Sequence, residues 1–454
     1  MASLSKRSKA TQETAHIMNN KKGSVIVIGG GWAGLTAAVK LTEHGHSVTL
    51  FESAKQLGGR ARCVAFNKQA VDNGQHLMLG AYAQTLDMLS LCGVNLSNAL
   101  LRETLNVHVI DKQKDNFTLT LNRLPAPLNI LFAFITLPNI RMKDRVKTVL
   151  FLLKLRIDNF TLRSDITVKK LLRHQPEIII KMLWEPLCIA ALNTPISEAS
   201  AKIFLNVLKD SFTRNSNASD LLIPKQDLGS LFVQPAIQYI EDHGGTILLG
   251  NKVDRISYNS IHPVVIDVTG NEYHAKHIVL AGSSQSTLAL LEKSDLFEKT
   301  QQQLRAISYE PICTVYLQYE NDVRLSQTMI GLTGCAGQWI FDRHCCGQPG
   351  LMAVVISASG SHMQLDKMTL AQLVNDELST IFGWPDALKS FVIREKRATF
   401  KSHVDIDKLR PSISTSKDNL WLCGDYTAGP YPATLEAAVQ SGVQCSQEII
   451  QSMK

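Results

Sequence analysis

The chain has 454 residues, too many for one simple core and enough for two structural domains. Hydrophobic residues make up 45% and charged residues 19%, the balance of a folded soluble protein, so disorder is excluded except at the ends. The net charge of +7 leans toward anionic partners, a phosphate-bearing cofactor or an acidic membrane surface, and lacks the dense basic patterning of a nucleic-acid binder.

Nine cysteines occur without a Cys-x-x-Cys spacing, and only Cys345 and Cys346 are adjacent. Scattered reduced thiols of a cytosolic protein are expected, with no disulfide framework and no metal site. The longest apolar stretches, such as Ile130 to Ile135, run to about six residues, against the ~20 of a membrane-spanning helix. Residues 1–22 are polar and basic, carrying Lys6, Arg7, Lys9, Lys21 and Lys22. Without an apolar core they do not form a secretory signal; a disordered tail over 1–23 is expected, with a transit peptide as the alternative. Met18 is an alternative start.

The fold begins at Ser24. Val25 to Ile28 reads as a buried parallel strand. Glycines follow, then Leu35, Ala38, Val39 and Leu41 at helical spacing, a break at His44-Gly45-His46, and a second strand over Val48 to Phe51. Strand, glycine turn, helix and strand make a βαβ unit. From about Leu86 to Tyr239, apolar and basic helical patterns predominate. From Gly244 the chain turns strand-rich, with Thr246–Leu249, Val264–Val268, His277–Ala281, Cys313–Gln318 and Leu351–Ile356 as strands and Thr369–Phe382 as a helix. Leu420 to Cys423 is a buried strand, and a last helix runs from about Thr434 to Met453. One domain is therefore expected from three pieces, 24–85, 240–300 and 410–454. A second comes from 86–239 and 301–409.

Gly29-Gly30-Gly31-Trp32-Ala33-Gly34 matches Gly-x-Gly-x-x-Gly in the context that gives the pattern meaning: after a strand, opening a helix, with Glu52 ending the next strand. Gly29 permits the tight turn, Gly31 lets backbone approach a pyrophosphate, and Gly34 lets the helix pack on the sheet. The helix N-terminus offers free N–H groups to phosphate. Glu52 can accept hydrogen bonds from both ribose hydroxyls, and its charge would repel the ribose phosphate of NADP. No second such motif is present for a separate nicotinamide domain.

Leu57-Gly58-Gly59-Arg60-Ala61-Arg62 and Leu422-Cys423-Gly424-Asp425 resemble segments of the glutathione-reductase/amine-oxidase superfamily of flavoproteins. The resemblance implies an α/β fold, a Rossmann-like FAD-binding domain interleaved with an α+β substrate domain. It places Gly59 and Arg60 along the FAD pyrophosphate, the backbone of Val253 at the adenine, and Gly424 and Asp425 at the ribityl chain. The helix opening at Thr434 and Leu435 would point its positive end at flavin N1 and O2, where reduced flavin carries negative charge. Ala428-Gly429-Pro430-Tyr431 holds no cysteine, so the FAD is expected to be noncovalent.

Further segments resemble the hydroxysqualene dehydroxylases: Asp72-Asn73-Gly74-Gln75-His76 with Gly80-Ala81-Tyr82, Leu124 to Pro127, Trp184 to Leu187 with Ala191-Leu192-Asn193-Thr194-Pro195, and Ser219 to Pro224. The resemblance covers nearly the whole chain from Ser24 on. It implies reductive removal of the allylic hydroxyl of hydroxysqualene in squalene and hopanoid synthesis. Loss of water would leave a resonance-stabilised cation that takes hydride from flavin N5. His76 is the first candidate for the acid, against the alternative that it merely bonds cofactor or backbone. Asp72 could orient His76, and Tyr431 could donate or pack. An unidentified electron donor is implied. So is a peripheral position on the inner face of the membrane, with 128–160 as an interfacial docking region or, equally, a plain helix pair. The rivals are a carotenoid-type desaturase using a quinone, a flavin amine oxidase, and a flavin-binding protein without turnover.

Overall fold

The computed structural model describes residues 23–453 apart from 68, 114, 123, 125–127, 214–216 and 260–261. The expected tail before Gly23 and residues 125–127 of the Leu124 to Pro127 segment lie outside the described residues. In chain order the elements open with β1 (Ser24–Ile28), α1 (Trp32–Glu43), β2 (Ser47–Glu52), β3 (Cys63–Phe66), β4 (Gln69–Asp72), β5 (Met78–Leu79) and α2 (Ala83–Leu91). There follow β6 (Leu100–Glu103), β7 (Asn106–Asp111), β8 (Asn116–Thr120), α3 (Leu128–Ile135), α4 (Met142–Ile157), α5 (Glu185–Leu192), α6 (Ala201–Thr213), β9 (Leu221–Pro224) and α7 (Gln234–Asp242). Next come β10 (Thr246–Leu249), β11 (Val253–Asn259), β12 (His262–Asp267), β13 (Glu272–His274), β14 (His277–Leu280), α8 (Ser284–Lys293) and α9 (Glu298–Ala306). The chain closes with β15 (Tyr309–Gln318), β16 (Met329–Thr333), β17 (Trp339–Asp342), β18 (Leu351–Ser357), α10 (Lys367–Phe382), β19 (Lys389–Phe400), β20 (Leu420–Leu422) and α11 (Leu435–Ser452).

Two sheets organise these elements. The first is parallel throughout, in the order β10-β2-β1-β14-β20. Its central strand buries Val25, Ile26 and Val27 completely, which is why the segment is a continuous apolar run rather than an alternating one. On one face lie α1 and α11, so close that a side-chain carbon at Gly442 would stand 2.6 Å from the Ala33 carbonyl. The other face meets the small antiparallel sheet β11-β12-β13, where Phe51 packs edge-on against Tyr273 with centroids 4.8 Å apart.

The second sheet has the order β19-β15-β18-β17-β16-β7-β8, antiparallel except where β16 runs parallel to β7. Alternation decides its two faces. Val315, Leu317, Ile330, Val354 and Ile356 pack under Leu370, Val374 and Leu378 of α10. The alternate set, including Met329, Trp339, Phe341 and Val355, faces a large cavity.

The stretch 86–239, expected to be mainly helical, also carries β6, β7, β8 and β9. These strands are short, and β7 finds a partner in the distant β16. Their period-2 signal, as in the buried Val107, Val109 and Asp111 of β7, is brief beside the helices around it. Residues 228–240 share one apolar cluster with α1.

Candidate active site

The glycine turn is built as its spacing requires. Gly29 takes φ +115°, and a side-chain carbon there would lie 2.6 Å from the Ala281 carbonyl oxygen. At Gly34 such a carbon would come within 2.0 Å of the Gly29 carbonyl oxygen, so only glycine lets α1 start this close to the turn. Gly31 caps α1 with no side-chain hydrogen bond and faces open space, nothing standing within 4 Å of where its side chain would project. The first turn of α1 therefore starts at an open concavity on the cavity wall, beside Gly58, whose N–H donates to the Gly30 carbonyl at 2.8 Å. Glu52 accepts from Gly30 N–H at 2.9 Å and from Ala54 N–H at 2.8 Å, which fixes its carboxylate on the rim.

The C-terminal loop closes the same site. Arg60 donates to the Asp425 carboxylate at 2.6 Å and to the Ala398 carbonyl at 2.8 Å. Burial works against the Arg60 charge, and Asp425, with Glu395 and Tyr309, together more than offset this, so its pKa is raised. Arg410, 4% exposed, donates to the carbonyls of Gly429 at 2.7 Å, Tyr431 at 3.0 Å and Asp425 at 3.2 Å. Its guanidinium lies 4.9 Å from the Phe400 ring centroid. One buried cation thus sets the path of the loop over 425–431. Thr434 caps α11 by accepting from Ala437 N–H at 3.1 Å.

The glycine turn, Glu52, Arg60, Asp425 and Thr434 line one cavity of about 910 Å³, at the upper end of the ~300–1,000 Å³ usual for ligand sites. Gly29, Gly31, Trp32, Ala33, Glu52, Gly59, Arg60 and Val253 lie on its wall, as do Gly424, Asp425, Thr434, Leu435, Tyr431 and His76. Gly34 stands behind the wall, packing helix on turn. Asp72 also stands behind it. The cavity continues into an apolar section lined by Leu105 and Val107, by Leu187 and Ala191 of α5, by Phe204, Val207 and Leu208 of α6, and by the second sheet.

The loop after β4 sits between the two sections. His76 bonds the Gly74 carbonyl through Nδ1 at 2.6 Å. Burial lowers its pKa, and the nearby Asp72 charge opposes that. Asp72 accepts from Leu228 N–H at 2.8 Å and stands 3.8 Å from Arg343. Burial raises its pKa against the pull of His76 and Arg343. Arg343, 2% exposed, donates to Gln348 at 2.6 Å and to Gln75. Tyr316 donates to the Asp72 carbonyl at 2.9 Å. Asp72 therefore acts on His76 through space while the loop is pinned from behind.

Sequence reasoning missed several residues here. Arg343 and Arg410 are among them, because no local pattern marks a buried cation. Asp210 of α6 lines the cavity and accepts a hydrogen bond from the Tyr431 hydroxyl. Asn193, inside a segment already singled out, adopts φ +47°. It accepts from Ala358 N–H at 2.6 Å and donates to Thr399 at 2.9 Å, tying the end of α5 to two strands of the sheet.

The residues present fit a flavin dinucleotide. The cradle at Gly31 is open, the Glu52 carboxylate is set for a ribose, and the buried Trp32 indole N–H on the cavity wall has no partner among the described residues. The family model for flavin-containing amine oxidoreductases matches residues 32–450. The chain belongs to that family and is an FAD-dependent oxidoreductase. Within it, the chain resembles the hydroxysqualene dehydroxylases: that of Zymomonas mobilis is 26% identical over 92% of this chain and 96% of the relative. The 15-cis-phytoene desaturase of Narcissus pseudonarcissus is 23% identical over 94% of this chain and 79% of its own length. The crystal structure of an oxidoreductase from Methanosarcina mazei superposes with a TM-score of 0.74 at 14% identity, covering 93% of this chain and all of that one.

Proposed function

We propose that this chain catalyses the reductive dehydroxylation of hydroxysqualene to squalene. The observation that carries the reading is the continuity of the cavity: one end is shaped for a dinucleotide, and the other is a long apolar section suited to an isoprenoid chain. The similarity to hydroxysqualene dehydroxylases supports the choice of substrate. FAD, when bound in its reduced form, supplies hydride. Gly29, Gly31, Trp32, Ala33, Gly59 and Arg60 hold its phosphates, Glu52 the ribose, Val253 the adenine, and Gly424, Asp425, Thr434 and Leu435 the flavin end. Attachment is noncovalent; no described residue lining the cavity is a cysteine. In this division the cofactor part comprises 24–85, 240–300 and 410–454, and the substrate part 86–239 and 301–409.

The apolar wall excludes water and strips the allylic alcohol of competing hydrogen bonds. His76 gives a proton to the departing hydroxyl from Nε2, since Nδ1 is engaged by Gly74. Burial makes its imidazolium a stronger acid and a rarer one at neutral pH. Turnover should therefore rise as the pH falls toward the lowered His76 pKa.

The helix pair α3 and α4 suits delivery from a membrane surface. Met142, Val146, Leu150 and Ile157 form an exposed stripe on α4, beside exposed Leu128 and Phe132 of α3; Leu150 is 61% and Ile157 83% exposed. Lys143, Lys147 and Lys154 flank the stripe and are exposed too. Beneath it Phe134 and Phe151 pack on Trp184, which packs on Phe204 of the cavity wall. Among the described residues no helix is long and apolar enough to cross a membrane, and we place the protein peripherally on the inner face. Sedimentation with anionic vesicles should be lost in Leu150→Asp/Ile157→Asp.

The deciding experiment is anaerobic. The flavin is photoreduced, hydroxysqualene is added, and absorbance and lipid products are followed. Return of the oxidised spectrum with matching squalene is expected; a flavin that stays reduced overturns the reading. The desaturase relatives favour a second reading, oxidation of a polyisoprenoid with a quinone acceptor, which would instead show substrate-dependent flavin reduction.

A further inference from the structure

Cys345 and Cys346, adjacent in sequence, end a short 3-10 turn over Arg343–Cys346 that follows β17. Their sulfurs lie 3.8 Å apart. Both residues are half-buried between the exposed His344 and Gly347, so a small solute reaches them. Cys423 and Cys445 also meet, but both are completely buried.

The same turn carries a clamp. Arg343, its first residue, sends a buried guanidinium inward to the segment that leads to His76. It donates to Gln75, and to Gln348 at 2.6 Å. Gln348 in turn donates to the Ala70 carbonyl of β4 at 2.8 Å. The backbone bonds that set the spacing of Arg343 and Gln348 span the peptide between the two cysteines. Gln348 N–H donates to the Arg343 carbonyl at 3.3 Å, and Gly347 N–H to the His344 carbonyl at 2.9 Å. A twist at Cys345–Cys346 therefore changes how the two clamping side chains meet Ala70 and Gln75.

We propose that Cys345 and Cys346 form a site of reversible oxidation by hydrogen peroxide, and that their closure into a disulfide releases the clamp on residues 70–75. The Cys346 thiolate attacks one peroxide oxygen, the O–O bond breaks, and the other oxygen takes a proton and leaves as water. Cys345 sulfur then attacks the resulting sulfenic sulfur. The S–O bond breaks, and hydroxide leaves with the Cys345 proton as a second water. The two thiols lose two electrons and peroxide gains them. Contact with Cys345 and the Arg343 charge lower the Cys346 pKa against the effect of burial, which favours Cys346 as the attacking sulfur. A disulfide brings its sulfurs to about 2.05 Å and usually holds its Cα atoms roughly 4.4–6.8 Å apart, whereas neighbours in a chain stand about 3.8 Å apart. Closure must twist the intervening peptide, and such a strained bond is easily reduced again. The proposal is independent of the substrate.

The test uses the full-length, flavin-loaded protein, treated with a slight excess of hydrogen peroxide. One portion is digested without reductant for mass spectrometry, and hydrogen exchange is followed on the other. The peptide with both cysteines should be lighter by two hydrogens and resist alkylation, and dithiothreitol should restore two alkylatable thiols. Amides of residues 69–73 pair across the β3–β4 hairpin and bond the Arg62 carbonyl. They should exchange about 10-fold faster in the oxidised protein, the factor carried by one lost hydrogen bond to a charged group, and recover with dithiothreitol. Exchange in β1 and β14 should not change. Cys345→Ser and Cys346→Ser should each abolish both effects of peroxide, and the wild-type comparison decides even if a variant fails to fold. Two thiols left free, or Cys346 carried on to a sulfinic acid beside a free Cys345, would overturn the proposal. So would a disulfide that leaves exchange at 69–73 unchanged, or exchange that quickens equally in Cys345→Ser.

Discussion

At its glycine end the cavity wall is backbone: the turn at Gly29 to Gly34, the Gly58-Gly59 turn and the first turn of α11. At its apolar end the wall is side chains, contributed by β7, α5, α6 and β15 to β18. A backbone wall recognises what every dinucleotide shares, phosphates and ribose, and at Gly29 and Gly34 it tolerates no added atoms. A side-chain wall recognises shape, and its specificity can be reset by changing volume without touching the fold. Substitutions at the two ends should therefore fail differently.

The largest effect is expected at the backbone end. Gly34→Val puts carbon where the Gly29 carbonyl already stands, so the purified protein should carry essentially no flavin; a full flavin spectrum would break the contrast. Next comes the loop between the ends. Arg343→Met removes the buried cation beside Asp72 and should lower stability by about 3–5 kcal/mol, as for a broken buried pair, measured by denaturant unfolding. The sign with pH follows from Asp72. Its folded pKa is already raised and rises further without Arg343, so the folded variant binds a proton that the unfolded chain does not. Its deficit should shrink as pH falls and grow as pH rises. At the side-chain end, Val207→Trp fills the apolar section. It should leave flavin content unchanged and cut kcat/KM by about 10²-fold, measured by steady-state squalene formation. Lost flavin here would mean that the two ends are mechanically one.

The same contrast explains what the sequence discloses. The glycine turn and Glu52 are legible because each satisfies a local backbone demand within a few residues, whereas Arg60 and Asp425 are implied by the resemblance alone and meet across 365 positions of chain. The parallel strands are legible because burial on both faces leaves a continuous apolar run such as Val25 to Ile28. The apolar end is not legible. Val107, Val207 and Trp339 meet only after a mixed sheet pairs β7 with β16 across more than 200 residues of chain, and no local pattern encodes that pairing. Nothing local marks Asp210, whose contact with Tyr431 spans 221 positions of chain. Arg343 and Arg410 illustrate the same limit, because burial of a charge is a property of the finished fold.

The smallest expected effect lies in the sheet behind the glycine turn, and it tests whether that end fails as a unit. His277 of β14 is 9% exposed and accepts the indole N–H of Trp421 through Nδ1 at 3.2 Å. Burial, with His46, Lys276 and His262 nearby, pushes its pKa from 6.5 down to about 4. A depressed histidine gives stability that is fully present above its unfolded pKa and is lost as pH falls toward the folded one. Between pH 6.5 and 4 the unfolded chain takes a proton that the native sheet refuses. The melting temperature of the wild type should therefore drop across that window more steeply than that of His277→Gln, whose amide oxygen can still accept from Trp421. Above the window the two curves should run parallel. Flavin release, read by its fluorescence, should follow the same difference, because β14 is hydrogen-bonded directly to β1, the strand that leads into the Gly29 turn. Equal acid slopes in the two proteins would mean that His277 titrates normally. Release of flavin well before melting would mean that the cradle opens by itself and the backbone end is not one cooperative body.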